Sequence, residues 1–211
     1  MKRWMILIVS LFIMSFGVAF SVKAQLGTSP ISSFPNAVSE FTPFTIGNVT
    51  IFMHVVLILL QILILRKKYE LIQLIQLPLA IVFGYLTDLC VWITQHITYH
   101  NYVQQWIICL IGIALVAIGV SGAVTSKTTV LAGEGFCLAV CKVTNMKFGN
   151  MKMIFDISLV VIAVAVSLIF THHVIGVREG TVAAMVLVGL LSRIMLKPLQ
   201  KIENRFVATV L

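Results

Sequence analysis

Four ionisable side chains, His54, Asp88, Asp156 and Arg193, stand inside runs of apolar residues. Such groups cost about 3 kcal/mol each at the centre of a bilayer, so each is a candidate to bind a solute or carry a proton. A histidine, or a carboxylate whose pKa burial has raised, changes charge near neutral pH. Counted from the ends of their apolar runs, His54 and Asp88 reach comparable depth and could pair as imidazolium and carboxylate. Asp156 and Arg193 could pair toward the other face. The competing reading is structural, with buried ion pairs that only fix helix contacts, and for Asp156 and Arg193 it is the favoured one.

A second set of candidates lies in two segments that are too polar to span and too apolar to be plain loops, 23–44 and 125–148. The first carries Thr28, Ser29 and Ser32 in the run Leu26-Gly27-Thr28-Ser29-Pro30-Ile31-Ser32-Ser33-Phe34-Pro35, then a short helical stretch to Phe41. The second carries Thr129 and Glu134 in Thr128-Thr129-Val130-Leu131-Ala132-Gly133-Glu134-Gly135-Phe136, followed by residues 137–143. Glu134 between two glycines is the strongest single candidate for a ligand contact. Proline removes a backbone donor and glycine permits unusual torsions, so both oppose a continuous helix. Lipid cannot satisfy freed backbone groups, so each segment must lie at the interface or line an enclosed cavity. If both dip inward, two short-helix N-termini approach from opposite faces and offer N–H groups to a polar or anionic ligand. The alternative is a pair of ordinary interfacial turns.

Other chemistry is thin. His96 and His100, four apart, and the adjacent His172-His173 offer two pairs that lack accompanying cysteines, and no metal site is assigned to them. Cys90, Cys109, Cys137 and Cys141 form no CxxC spacing and read as buried thiols. GxSxG, HExxH, P-loop and dinucleotide-loop patterns are all missing, so neither an enzyme nor a cofactor is expected.

The elements that must position these groups are membrane spans. Of the 211 residues, 60% are hydrophobic and only 10% charged, and mean hydropathy is +1.07. Soluble domains carry about 25% charged residues, so part of this chain's solvent must be lipid. A span needs roughly 20 apolar residues, and six are expected: 4–22, 45–65, 77–93, 103–124, 150–170 and 180–196. The first, with Lys2-Arg3 before it and Val22-Lys23-Ala24 after, has the alternative reading of a secretory signal. The net charge of +8 is explained by retention of Lys and Arg on cytoplasmic loops, and no nucleic acid is implied. With the N-terminus inside, Lys2, Arg3, Arg66, Lys67, Lys68, Lys127, Lys142, Lys147, Lys152, Lys197, Lys201 and Arg205 are cytoplasmic. Only Lys23 and Arg178 lie outside, so both termini are expected in the cytoplasm.

The two halves of the chain match at a constant spacing. Gly17 and Gly119, Phe34 and Phe136, Ala37 and Ala139, Val38 and Val140, Gly47 and Gly149, and Asn48 and Asn150 are each 102 residues apart, as are His54 and Asp156. Each half reads as span, mixed segment, Gly-Asn, span, connector, span. Three spans is an odd number, so the second copy must sit upside down relative to the first, the inverted plan of many secondary transporters.

Leu26-Gly27-Thr28-Ser29-Pro30 followed by Pro35 and Ser39, Ile46-Gly47-Asn48, and Phe148-Gly149-Asn150 followed by Asp156 resemble the YitT/YczE group of small bacterial membrane proteins. That resemblance implies a polytopic protein of the bacterial plasma membrane, and it supplies no catalytic residue or substrate. The expected fold is all-α, with six transmembrane helices as two inverted three-helix repeats, 1–102 and 103–211, each containing a broken or re-entrant segment. The expected function is secondary transport of a small polar or anionic organic solute, with a coupling proton on His54, Asp88 or Glu134. Two alternatives stand beside it: a substrate-capture membrane subunit served by a partner ATPase, and a membrane scaffold or sensor. The partners foreseen are the lipid bilayer, the solute and a second copy of the chain.

Overall fold

The computed structural model describes residues 2–208, with side chains described over 3–196. Lys197, Lys201 and Arg205, counted above among the cytoplasmic charges, have side chains outside that range. Among the described residues all regular structure is helical: α1 Lys2–Ala24, α2 Pro30–Ser39, α3 Ile46–Leu65, α4 Gln76–Ile93, α5 Tyr102–Thr125, α6 Ala132–Thr144, α7 Phe148–Thr171 and α8 Glu179–Ala208. Short 3-10 turns at Arg66–Lys68, Leu71–Ile75 and Thr94–His96 link α3, α4 and α5. Six of the helices, α1, α3, α4, α5, α7 and α8, are long and apolar enough to cross a membrane.

Local sequence sets the boundaries. Pro30 opens α2 at a position where a missing N–H costs nothing. Asn101 caps α5, its Oδ1 accepting from Gln104 N at 2.8 Å. Asn145 and His172 end α6 and α7 in the left-handed region, at φ 56° and 58°.

The bundle has two distinct ends. Trp4, Leu65, Ile72 and Lys142 line one cavity, so the start of α1, the end of α3, the α3–α4 connector and the end of α6 share what we term the basic end. At the opposite end Lys23 Nζ donates to Gln95 O at 2.9 Å, and Arg178 Nη1 donates to Gln25 O at 3.1 Å. The Tyr99 hydroxyl donates to Gln25 there as well.

At the centre α1 and α5 cross in antiparallel fashion through small residues. A Cβ on Gly17 would lie 2.6 Å from Val116 N and 2.7 Å from Gly112 O. A Cβ on Gly119 would lie 2.8 Å from Met14 N and 2.8 Å from Ser10 O. In lipid, helices gain no hydrophobic drive from pairing, so such close backbone approach is what binds them. Gly17, Val116 and Gly112 correspond to Gly119, Met14 and Ser10 at the 102-residue spacing, so the two contacts are reciprocal.

The wider packing has the same character. α1 packs on α4 and α5 on α8; α2 packs on α7 and α6 on α3; α2 also packs on α3, and α6 on α7. Exchanging α1–α4 for α5–α8 maps each of these contacts onto its partner. The element starts follow suit, since α2 and α6 begin at Pro30 and Ala132, and α3 and α7 at Ile46 and Phe148. Among the described residues one contact has no counterpart: α3 packs extensively on α4, but α7 and α8 have no comparable interface.

Candidate functional site

The mixed segments become α2, α6 and the loops before them, and their first turns meet. Ile31 Cδ1 sits 2.5 Å from where a Cβ on Gly133 would be, so any larger residue there would have to displace the tip of Ile31. Two helix N-termini do approach each other, but the Ile31 side chain fills the space expected for a ligand. Ile31, Phe34, Phe136 and Val140 then pack against a core of Met53, Leu57, Ala132, Cys137, Phe155 and Leu159.

The hydroxyls of the first segment are spent internally. Thr28, Ser29, Ser32 and Ser33 are buried. Ser29 Oγ donates to Ser32 Oγ at 3.1 Å, Ser33 Oγ to Ser29 O at 3.0 Å, and Thr28 N to Gly176 O at 3.1 Å. Thr28, Ser29 and Ser32 thus close the end near Gly176. Asn36 in the same helix has a buried Oδ1 with no partner.

His54 and Asp88 do not pair. Asp88 accepts from the Thr45 hydroxyl at 2.6 Å and from Gly47 N at 2.7 Å, capping α3 from across the α3–α4 interface. The dipole and free N–H groups of a helix start favour a carboxylate there more than a distant imidazole does. His54 lies two turns deeper, completely buried and stacked on Phe83 with ring centroids 6.1 Å apart. Neither of its ring nitrogens has a hydrogen-bond partner.

Asp156 and Arg193 do not pair either. Asp156 is bound by Lys152, one turn earlier on α7, because an i, i+4 neighbour is already in reach at no cost in helix placement. Lys152 also lies 5.6 Å from the centre of the Phe155 ring. Arg193 is exposed. Glu134 is half-buried and joins the Lys152–Asp156 pair electrostatically. Burial pushes its carboxyl up from the ordinary range, the Lys152 ammonium opposes that shift, and Asp156 adds to it. Glu134 does not line the cavity described next.

A cavity of about 680 Å³ opens at the basic end between α3, α4, α6 and the loop before α6. Of the expected substrate-binding residues, Thr129 lines it. Its inner wall is made by uncharged amides, which carry no ionisable group. Gln61 on α3 and Gln76 on α4 are almost wholly buried. Gln61 Nε2 donates to Gln76 Oε1 at 3.2 Å and to Ala132 O at 3.1 Å. Both amides rest on Gly135, where a Cβ would fall 2.7 Å from Gln61 Oε1 and 2.8 Å from Gln76 Nε2. A glutamine inside an apolar run, as in Leu60-Gln61-Ile62, was a signal open to sequence reading, because a buried amide must also find partners.

His96, His100, His172 and His173 are exposed at the opposite end. Among the described residues no group of three or more His, Cys, Asp or Glu comes together as metal ligands. The four cysteines are free thiols, three of them buried.

Six apolar helices with buried polar side chains and a cavity at one end define a multi-pass, all-helical membrane protein. The chain belongs to the DUF6198 family, a family of unknown function, which matches residues 1–197. It is also similar to the uncharacterized protein YyaS of Bacillus subtilis (strain 168), at 29% identity over 120 residues. That match covers 57% of this chain and 58% of YyaS, less than two thirds of the relative's length. No solved structure matches the chain significantly.

Proposed function

We propose that this chain is a small secondary transporter of the bacterial plasma membrane, with both termini cytoplasmic and two inverted halves, 1–102 and 103–211. The solute is small, organic, and polar or anionic. The observation that carries the reading is the packing pattern that maps onto itself when the halves are exchanged, down to the reciprocal contacts of Gly17 and Gly119. The one contact that fails to map supplies the working motion. α3 is closed on α4 where Gly47 meets Gly84 at the opposite end. The corresponding Gly149, at the basic end of α7, meets none of the described residues within 4 Å of a built Cβ. In this reading the structure is the inward-open form, and rocking would part α3 from α4 while α7 closes on α8.

The positive-inside bias supports a cytoplasmic basic end. The YitT/YczE kinship belongs to this proposal and rests on the Leu26–Pro30 run and the two Gly-Asn pairs. Asp88 is engaged in capping, so His54 and Glu134 are the groups left to carry a coupling proton. A capture subunit would need its cavity at the outer end, and in this reading the cavity faces the cytoplasm.

Uptake of a solute panel into proteoliposomes, with and without an imposed pH gradient, tests the function. Accumulation of a solute that requires the protein is the expected result. Labelling that puts Arg66–Lys68 and Lys142–Lys147 on different sides of the membrane would overturn the architecture and the transport reading with it.

A further inference from the structure

The two amides at the back of the cavity are only half satisfied. Gln61 Nε2 uses both of its N–H groups, on Gln76 Oε1 and on Ala132 O. That leaves Gln61 Oε1 and Gln76 Nε2 uncommitted within the chain and open to the cavity that both residues line. Gln73 lines the same cavity, and its Oε1 is buried with no hydrogen-bond partner. Buried polar groups are otherwise almost always hydrogen-bonded, because leaving one unpaired forfeits its hydration with nothing in return. Gln61 offers an acceptor and Gln76 a donor, the Gln73 amide can present either, and Thr128 and Thr129 stand on the same wall. Gly135 is what lets both amide heads lie this close to the α6 backbone.

We propose that Gln61, Gln73 and Gln76, backed by Gly135 and Thr129, form a binding site for a small uncharged solute that presents a planar edge of adjacent hydrogen-bond donor and acceptor, such as a carboxamide, lactam or ureide. Among the described residues, the side chains lining the cavity include no carboxylate and one cationic residue, Lys142, which is exposed. A charged group placed against the amides would lose its hydration without a counter-charge. Neutral amides fit the array by exchanging donors for acceptors. A cavity of about 680 Å³ is within the usual range for metabolite-sized ligands. This inference rests on the transport reading for its purpose and narrows that reading's solute from polar or anionic to neutral. The binding itself does not require transport.

The experiment measures thermal stabilisation and equilibrium binding on the purified full-length protein in nanodiscs. The probes are two matched pairs, nicotinamide against nicotinate and uracil against orotate. The neutral member of at least one pair should bind, and the charged member should bind at least about tenfold more weakly. Gln76→Leu and Gly135→Ala should each weaken neutral binding by about tenfold, the first by removing the donor and the second by pushing both amides away. Thr129→Val serves as the mild variant should either of these fail to fold, with an expected loss of about threefold. Preference for the charged probes, binding unaffected by these substitutions, or no binding by any of the four probes would each overturn the site. Proteoliposome flux of a bound probe is measured in parallel. Binding without flux keeps the site and refutes transport, whereas flux of other solutes that ignores Gln76→Leu keeps transport and refutes the site.

Discussion

Two helix pairs that correspond in sequence position behave oppositely. At the start of α3, Gly47 is pressed against α4, with a built Cβ 2.2 Å from Gly84 O and 2.5 Å from the Asp88 carboxylate. At the start of α7, a Cβ built on Gly149 has nothing within 4 Å among the described residues. Both glycines open a span in the sequence Gly-Asn, so the difference lies in what faces them. The positions on α8 that correspond to Gly84 and Asp88 hold Val186 and Leu190, both exposed. α4 supplies a small residue and a capping carboxylate, and α8 supplies neither. The Gly-Asn pair permits close packing, and the partner helix decides whether it occurs.

The largest effect expected from breaking this comparison is at Gly47. Gly47→Leu must drive α3 off α4, at about 3 kcal/mol or complete loss of folded protein, while Gly149→Leu stays within about 0.5 kcal/mol. Thermal unfolding of the two variants in detergent checks the difference. Gly17→Val and Gly119→Val should come next, each destabilising by about 2 kcal/mol and by similar amounts, because their contacts are reciprocal. Unequal losses in the same assay would argue against the exchange symmetry. Asp88→Asn removes a charge-assisted cap from α3 and should cost about 1 kcal/mol. Chemical denaturation measures that loss, and Leu190→Asn at the corresponding place on α8 should show none.

The smallest change in stability carries the sharpest question. Gly149→Ala should leave the melting point level or raise it by the equivalent of about 0.5 kcal/mol, since alanine is the better helix former and the space is open. If α7 closes on α8 during transport, Gly149→Leu should nonetheless slow proteoliposome uptake severalfold. Uptake at the unsubstituted rate would mean that Gly149 simply faces lipid.

Much of this protein was legible from its sequence. The six spans fall within two residues of their expected limits at most ends, because a bilayer sets span length and tolerates few charges within it. Pro30 and the glycines of the second segment marked the breaks that became α2 and α6. The pairing of buried groups was not legible. Asp88 sits at a depth that suits His54, yet it reaches the start of α3, where free N–H groups compete for it. Asp156 found Lys152 on its own helix in preference to Arg193 on another. Glu134 stood between two glycines that suggested a ligand, and it faces α7 with Lys152 and Asp156 for neighbours. Gln61 and Gln76 escaped notice because an uncharged amide hardly lowers the hydropathy of the run that contains it.

The sequence alone determined that this chain lives in lipid, how many times it is long enough to cross, and where it breaks. Those are properties of composition and spacing along one strand of chain, tested against a solvent that accepts few polar groups. Which helix packs on which, and which side chains meet across the gap, depended on small residues facing small residues. That complementarity exists only once two helices lie side by side, so the α3–α4 closure, the Ile31 plug and the amide-lined cavity are results of the tertiary structure.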